Sequence, residues 1–377
     1  MVTRQGLLAG AIAMVLGVLI TVAAQAQAGK ASVRELGNSV ADWQLANLEE
    51  LEGVRTFREQ SQLTRGWIQA AFYIGLERWS RVSGKQAHRE ALYDMARNNG
   101  WKLGDRFWHA DDQAVAQVYL ALEDADAGPT QAVFDQVLEL DPQNTLDFEE
   151  ARNMDSEGGC QKRWCWCDAL FMAPPAWAAM SRVNGDPRYL DYAIREYRAV
   201  QDFLFDDEHK LFYRDSRFFE RRTEYGNKVF WGRGNGWVFA GLPLLLEQMP
   251  EDHDSRTHFE DTFRAMAKTF KAIQTKAGLW APSLLDYEHA PAPETSGSGF
   301  IVFGLAWGVK NGLLDGSEYG PVIDKGWQAL TGAVEENGKL GWVQQVGNAP
   351  DEVRPEDTQL YGGGAFLLAA TQMMDFE

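Results

Sequence analysis

The chain has 377 residues, of which 45% are hydrophobic and 24% are charged, and its formal net charge is −18. This hydrophobic content excludes a disordered protein, and the negative charge argues against binding to nucleic acid or to anionic membrane surfaces. An anionic substrate stays possible, because it needs only a local cationic group.

The first residues predict a secretory signal peptide. Arg4 precedes an apolar run at 7–24, and two overlapping Ala-Gln-Ala sites follow it. This order of positive, apolar and small residues is typical of a cleaved export signal, although the run also approaches the length of a membrane anchor. We expect residues 1–28 to be removed and residues 29–377 to form a single domain. The mature protein is then expected to be a monomer outside the membrane, in the periplasm or the extracellular space.

Helical patterns dominate the rest of the chain. Apolar residues recur at helical spacing in roughly ten to twelve segments, and strand-like alternation is nearly absent. The predicted helices cover residues 63–79, 87–99, 108–120, 130–140, 173–180, 187–204, 236–248, 256–274, 298–312, 321–336 and 360–373.

Unusual residues separate these helices at a near-regular interval. Segments rich in aromatic, glycine and acidic residues begin at Trp108, Trp166, Trp231, Pro293 and Tyr361. They recur roughly every sixty residues, about the length of two helices with their connections. Six such hairpins predict an all-α (α/α)6 toroid, whose inner helices bring their leading loops to one rim. A simple solenoid also fits the interval but predicts a more uniform repeat.

Asp168 is the candidate catalytic residue. In Arg163-Trp-Cys-Trp-Cys-Asp168-Ala-Leu-Phe-Met172, its other neighbours apart from Arg163 are aromatic, aliphatic or thiol side chains. Burial favours the protonated form of a carboxyl, and a carboxyl with a raised pKa can deliver a proton at neutral pH. The structural alternative is a helix N-cap, a position that Asp favours.

The chain's three cysteines lie beside this carboxylate. Cys160 can pair with Cys165 or Cys167, and an odd number leaves at least one thiol unpaired. The simplest interpretation is that all three thiols pack as small apolar groups. No His lies nearby to complete a zinc site, and the sequence has no paired His with metal spacing. We therefore expect neither a metal nor a cofactor.

A second candidate group surrounds an arginine. In Trp231-Gly-Arg233-Gly-Asn-Gly-Trp237, one guanidinium lies between two indoles. A planar guanidinium suits a carboxylate, and indoles suit the faces of a sugar ring. The structural alternative is a glycine-capped loop whose arginine pairs with a local acid.

Two polar segments supply further candidates. Asp111 and Asp112 stand at a helix start, where one can cap and the other can reach the cleft. Adjacent carboxylates disfavour each other's ionisation, so one of the two can have a raised pKa. Glu294-Thr-Ser296-Gly-Ser-Gly either donates hydroxyl and backbone groups to a sugar or forms a polar connection before a buried helix.

Four segments together resemble the unsaturated glucuronyl and rhamnogalacturonyl hydrolases of glycoside hydrolase family 105. They are Trp166-Cys-Asp168-Ala-Leu-Phe-Met172, Trp231-Gly-Arg-Gly-Asn-Gly-Trp237, Glu294-Thr-Ser-Gly-Ser and Tyr361-Gly-Gly-Gly-Ala-Phe. The resemblance covers nearly all of the chain after the signal. It implies an (α/α)6 barrel and an oligosaccharide substrate, made by a polysaccharide lyase, that ends in a 4,5-unsaturated uronic acid.

The resemblance also assigns roles to the candidate residues. Asp168 is implied to be the general acid and base, with Asp111 or Asp112 assisting, and Arg233 to hold the uronate carboxylate. The remaining residues of the candidate sugar site are Trp166, Trp231, Trp237, Glu294 and Ser296. The family often has a His in the loop after the helix that follows the catalytic Asp, whereas this chain reads Leu211-Phe-Tyr-Arg214-Asp215-Ser there.

The implied reaction suits a single acidic residue. Protonation at C4 of the unsaturated ring leaves an oxocarbenium-like centre at C5, water adds there, and the hemiketal opens to release the saccharide. Two other functional classes stay open. A conventional inverting glycosidase or a lyase on the same fold needs a second carboxylate or a Tyr/His base, and a carbohydrate-binding protein needs no catalysis. The parent polymer can be pectic, ulvan-like or a glycosaminoglycan.

Overall fold

The computed structural model describes residues 33–48, 63–148 and 159–376. The predicted signal peptide at 1–28 lies outside these ranges, as does the predicted first residue of the domain. Among the described residues, no helix combines the length and the apolar character that a membrane span requires.

Helices account for nearly all of the regular structure. In chain order they are α1 (33–46), α2 (Trp67–Ser80), α3 (Gln86–Asn98), α4 (Ala110–Gln113), α5 (Ala116–Tyr119), α6 (Gly128–Leu140), α7 (Ala169–Met172), α8 (Pro174–Asn184), α9 (Pro187–Leu204), α10 (Gly232–Leu246), α11 (Arg256–Ala272), α12 (Thr295–Lys310), α13 (Gly316–Thr331) and α14 (Leu360–Met373). Strands β1 (Phe205–Asp206) and β2 (Leu211–Phe212) form one small antiparallel ribbon, with Phe205 opposite Phe212.

The inner helices form a closed ring. Helix α14 contacts α2 and α12, α12 contacts α10, and α10 contacts α7 and α8. The short helices α4 and α5 close the circle, because α4 contacts α7, α5 contacts α8, and both contact α2. The alternation of inner and outer helices along the chain confirms the predicted (α/α)6 toroid.

Sequence composition explains which helices lie inside. Every residue of α10 is buried, and nearly every residue of α12 and α14, because apolar and small residues predominate on all faces of these helices. The outer helix α9 is amphipathic and buries one face, which includes Leu190, Tyr197 and Leu204. Burial of apolar surface between the two rings is the main stabilising contribution.

Two inner helices begin earlier than predicted. Helix α10 begins at Gly232 rather than Gly236, and α12 begins at Thr295 rather than Ser298. Their glycines allow close packing between the two first turns, because a Cβ on Gly236 would lie 2.9 Å from the carbonyl oxygen of Gly297. The two segments predicted to be ligand-binding loops are therefore first turns of buried helices.

The cysteines do not all remain thiols. Cys160 and Cys165 form a disulfide, and Cys167 is a buried free thiol. The interpretation of three packed thiols was therefore wrong for two of them. The disulfide joins the 3-10 helix Gly159–Arg163 to the segment that leads into Asp168.

Candidate active site

The site is a cavity of about 560 Å³ formed by segments that precede the inner helices. Its wall contains four carboxylates and four guanidiniums, together with aromatic and amide side chains. The charged members are Asp105, Asp111, Asp112, Asp168, Arg65, Arg106, Arg214 and Arg217. The chain therefore presents both proton donors and anion-binding groups to one enclosed volume.

Asp168 reaches this cavity and does not act as a helix cap. It directly precedes α7, yet its side chain accepts no capping hydrogen bond. The thiol of Cys167 lies 3.4 Å from Oδ2 of Asp168, and Nε of Arg214 lies 3.6 Å from the same oxygen. Both neighbours therefore meet one carboxyl oxygen, and the other oxygen is not engaged by either of them.

The environment of Asp168 favours its protonated form. Burial raises the pKa of the Asp168 carboxyl, and the positive charges of Arg214 and Arg233 oppose this effect without reversing it. The direction agrees with the expectation drawn from its apolar sequence neighbours. A carboxyl group that faces a cavity and has a raised pKa is suited to general acid catalysis.

The adjacent carboxylates Asp111 and Asp112 differ in their environments. Asp112 accepts hydrogen bonds from the backbone N–H and guanidinium of Arg106, so it braces the segment before α4. Asp111 makes no hydrogen bond of this kind, and its Oδ2 lies 3.8 Å from Nδ1 of His109. Burial raises the pKa of Asp111 to about 7; the positive charge of Arg106 opposes the shift, and Asp112 and Asp168 add to it. The helix is capped by His109, whose Nδ1 accepts from the Asp111 N–H at 3.2 Å. The expectation that one aspartate caps this helix was therefore wrong.

The pKa of Asp111 has a consequence for stability. Between its unfolded pKa of 3.8 and its folded pKa of about 7, the native state holds a proton that the unfolded chain has lost. The free energy of unfolding therefore falls as pH rises through this window. We expect Asp111→Asn to become more stable relative to wild type between pH 4 and pH 8, by roughly 4 kcal/mol. Urea unfolding at both pH values measures this difference, and parallel behaviour of the two proteins would contradict the assigned burial.

Arg214 and Arg217 form the cationic wall beside Asp168. One buried carboxylate, Asp215, accepts from Nη1 of Arg214 at 2.6 Å and from Nε of Arg217 at 2.8 Å. The Arg217 guanidinium also stacks on Phe148, with 3.8 Å from Cζ to the ring centroid. Sharing one carboxylate leaves the pair with a net positive charge, which the two guanidiniums present in fixed positions.

Sequence reasoning did not assign these two arginines to the site. The available signal was the segment Arg214-Asp-Ser-Arg217, at the place where the resembled family often has a His. An Arg-x-x-Arg spacing around an acidic residue is common on protein surfaces. Only the fold shows that this segment packs against Asp168, through the hydrogen bond from the Cys167 N–H to the Arg214 carbonyl at 2.9 Å.

The structure places Arg233 beneath the cavity and not on its surface. Its side chain is fully buried, with its guanidinium between the rings of Trp231 and Tyr361 at 4.5 and 4.7 Å. It donates to the backbone carbonyl of Gln344 and, at 2.9 Å, to that of Gln345. The prediction that Arg233 contacts a substrate carboxylate was therefore wrong. This arginine instead holds residues 344 and 345, and the chain continues from them into the cavity wall at 346–348.

The predicted tryptophans divide between the cavity and the core. Trp166 lines the cavity beside His109, with ring centroids 4.8 Å apart. Trp231 is buried and donates its indole N–H to the Gln344 side chain at 2.8 Å. Trp237 is fully buried against Phe171 and Phe300. The prediction that Trp231 and Trp237 line the ligand site was therefore wrong, since neither ring reaches the cavity.

Glu294 and Ser296 also lie below the cavity wall. Glu294 caps α12 by accepting from the N–H groups of Ser296 and Gly297, at 2.9 and 2.7 Å. It accepts a further hydrogen bond from the Gln344 N–H at 3.1 Å. Both residues are buried, so their expected contact with a sugar is corrected. Glu294 instead shares with Arg233 and Trp231 the role of fixing the segment at 344–348, and we call these three residues the clamp. Ser296 donates its hydroxyl to Glu294 at 2.5 Å.

One group of potential metal ligands lies elsewhere in the described structure. Asp206, Glu208 and His209 bring their ligand atoms together at the β1–β2 turn. Lys228 donates hydrogen bonds to Asp206 and Glu208 at 2.7 and 2.9 Å. Burial alone would raise the pKa of Asp206, but hydrogen bonds, with that from Lys228 the strongest, lower it to about 2. The lysine thus supplies the positive charge that these carboxylates require.

Comparison with known proteins places the chain among glycoside hydrolases. The sequence profile of Glycosyl Hydrolase Family 88 matches residues 37–377. An unsaturated 3S-rhamnoglycuronyl hydrolase of Alteromonas sp. (strain LOR) is 44% identical over 360 residues, covering 92% of this chain and 87% of that protein. A protein of the same name from Formosa agariphila is 39% identical over 324 residues, covering 82% and 85%. The solved structure of a glycosyl hydrolase family 88 protein from Bacteroides vulgatus has a TM-score of 0.79 at 28% identity, covering 92% and 99%.

Proposed function

Because the chain belongs to Glycosyl Hydrolase Family 88, and is therefore a glycoside hydrolase, we propose that it releases a 4,5-unsaturated uronic acid from the non-reducing end of lyase-generated oligosaccharides. The observation that carries this proposal is Asp168, a buried carboxyl of raised pKa that faces the cavity and has a guanidinium beside it. The assignment to family 105 within this group of hydrolases rests on the four sequence segments and belongs to the same proposal.

The reaction begins with a proton transfer. The protonated Asp168 gives its proton to C4 of the unsaturated ring, and the π electrons of the C4–C5 bond form the new C–H bond. Positive charge develops at C5, where the ring oxygen stabilises it. Water then attacks C5 and returns a proton to the Asp168 carboxylate. The hemiketal opens to a C5 ketone, and the hemiacetal left at C1 breaks down to release the remaining saccharide, so that one water is consumed.

Arg214 and Arg217 are the proposed receptor for the uronate carboxylate at C5. They lie on the cavity wall beside Asp168, and their shared Asp215 fixes them before substrate arrives. A bound carboxylate would offset the positive charge that opposes protonation of Asp168. Substrate binding is therefore expected to raise the pKa of Asp168 further and to support its role as an acid.

The sugar next to the uronide is proposed to be a sulfated rhamnose. Support comes from the relatives at 44% and 39% identity, whose names specify a 3S-rhamnoglycuronyl substrate. This favours an ulvan-like parent polymer over the pectic and glycosaminoglycan alternatives.

Ultraviolet spectroscopy tests the proposed reaction. Hydration of the conjugated double bond removes its absorbance, so we expect the absorbance of lyase-generated oligosaccharides to fall on incubation with the protein. A conventional glycosidase would release a reducing sugar without changing the absorbance, and a lyase would increase it. A binding protein would change neither quantity, and any of these three results would refute the proposed hydration.

Export is the remaining part of the proposal. The positive, apolar and small-residue order at 1–28 supports it, as does the Cys160–Cys165 disulfide, since disulfides persist in oxidising compartments. N-terminal sequencing of the protein from its host would contradict it by finding Met1 or Val2.

A further inference from the structure

The segment from Arg214 to Arg222 is basic within a strongly acidic protein. It reads Arg-Asp-Ser-Arg-Phe-Phe-Glu-Arg-Arg, with arginines at 214, 217, 221 and 222, whereas the whole chain has a net charge of −18. The first two arginines lie on the wall of the active-site cavity. The last two are exposed and lie outside it, so the reaction described above does not use them.

Arg221 and Arg222 line a second, more open cavity of about 670 Å³. Two chain segments connect it to the active site. Residues 346–348 line the first cavity and residues 349–352 line the second, and Arg217 in the first is followed directly by Phe218 in the second. The two cavities therefore adjoin along one rim, and the basic segment runs from one into the other.

The guanidiniums of this outer cavity are available to a ligand. Arg221 stacks on the Phe218 ring at 4.5 Å, and Arg222 donates only to the backbone carbonyls of Phe219 and Arg221. Across the described ranges, neither arginine forms an ion pair with a carboxylate. Each is held in place by contacts that leave its charge uncompensated.

Four acidic residues also line the outer cavity, and each has a hydrogen-bond partner, Glu224 in the Tyr225 hydroxyl and Asp351 in the Glu352 N–H. Asp286 accepts hydrogen bonds from Ser283, Thr223 and Asn227, and Glu352 pairs with Arg354 at 3.1 Å. Glu224 and Asp351 also belong to this wall. The lining is thus of mixed charge, and it can discriminate between the positions of anionic and neutral groups on a saccharide.

An exposed aromatic platform lies in the same cavity. Tyr225 is 45% exposed and stacks on His289, with centroids 4.8 Å apart and an angle of 19° between the rings. An exposed aromatic face supported from behind is the kind of surface on which the apolar C–H face of a sugar ring packs.

We propose that the outer cavity is a distal saccharide subsite, in which Arg221 and Arg222 bind an anionic group of the sugars beyond the cleavage point and Tyr225 packs against one of their rings. The inference rests on the proposed function, because it takes the oligosaccharide of that reaction as its ligand. The anionic group is a sulfate ester or a carboxylate. The enzyme accordingly prefers tetrasaccharides to disaccharides.

Kinetics with substrates of two lengths test this subsite. In the double variant Arg221→Gln/Arg222→Gln, we expect kcat/KM for an unsaturated anionic tetrasaccharide to fall about tenfold. An exposed ion pair contributes up to about fivefold, and the variant removes two such contacts with the ligand. We expect kcat/KM for the disaccharide to stay within about twofold. The preference of wild type for the tetrasaccharide should also weaken as salt is raised, because exposed ion pairs are screened. A desulfated tetrasaccharide distinguishes a sulfate from a carboxylate as the bound group.

A matched variant controls for the change in net charge. Arg182→Gln/Arg188→Gln removes the same charge from exposed positions outside both cavities, and we expect it to keep the wild-type tetrasaccharide preference. Equal losses on both substrates, or the same loss in the control, would overturn the subsite. Calorimetric binding of the tetrasaccharide to both variants, with Asp168→Asn added to each to prevent hydrolysis, gives an answer that does not depend on turnover. Absence of turnover of both substrates in wild type would contradict the proposed reaction, and unchanged tetrasaccharide affinity in Arg221→Gln/Arg222→Gln would contradict the subsite.

Discussion

An Asp168→Asn protein is expected to fold normally and to turn over unsaturated oligosaccharides roughly two to four orders of magnitude more slowly than wild type. Asparagine keeps the shape of the side chain but cannot transfer a proton to C4. Because Asp168 makes no capping hydrogen bond, the substitution removes no helix cap. Loss of ultraviolet absorbance measures the rate, and the Kd for substrate should change little, since Arg214 and Arg217 remain.

The pH profile gives an independent measure of the same residue. Burial raises the pKa of Asp168, so activity of wild type should fall as pH rises through this folded-state value. Asp105→Asn is a suitable control, and we expect it to keep the wild-type pH profile. Asp105 lines the same cavity, but its side chain is 80% exposed and pairs with Arg65. Near-wild-type activity of a folded Asp168→Asn protein would remove the central support for the proposed reaction.

Arg233→Lys is expected to lower the free energy of unfolding by roughly 2–4 kcal/mol, because lysine cannot donate to two backbone carbonyls from a plane between two rings. The carbonyls of Gln344 and Gln345 would lose charge-assisted hydrogen bonds inside the protein. The cavity wall at 346–348 should then loosen, and kcat/KM should fall with it. Chemical denaturation and turnover of the same preparations measure both effects.

Comparison of two substrates separates this effect from ligand binding. An arginine that holds the uronate carboxylate would matter much less for a methyl-esterified substrate, whereas a clamp residue lowers activity equally on both. We expect equal losses on the two substrates. Arg188→Lys serves as the control. The Arg188 side chain is 65% exposed and pairs with Asp186, so we expect a far smaller loss of stability and activity from this substitution. A loss confined to the charged substrate would restore the direct role of Arg233.

The fold was largely predictable because its signals are local and repeated. Apolar periodicity identified both rings of helices, and the spacing of the aromatic and glycine-rich segments indicated the toroid. The starts of α10 and α12 were not predictable in the same way. Glycine has a low intrinsic helix propensity, so Gly232, Gly234 and Gly297 suggested loops. Close packing between the two helices outweighs that propensity.

The active site was only partly predictable, and the reason is physical. Asp168 stood out because a single carboxylate within an apolar run requires a special environment. Arg233 was assigned wrongly because composition shows that a guanidinium lies among indoles but not on which side the ligand lies. Its partners are the carbonyls of Gln344 and Gln345, 111 and 112 positions away in the chain. Arg214 presented no local signal of comparable strength.

The clamp beneath the cavity has a consequence for engineering. Arg233, Glu294 and Trp231 belong to the most recognisable segments of the sequence, yet they are buried and do not line the cavity. The cavity wall comes instead from short connecting segments such as 104–106 and 346–348. A designer can therefore vary the accepted saccharide by rebuilding those connections on an unchanged barrel. A search for the recognisable segments, in turn, retrieves the scaffold and not the preferred sugar.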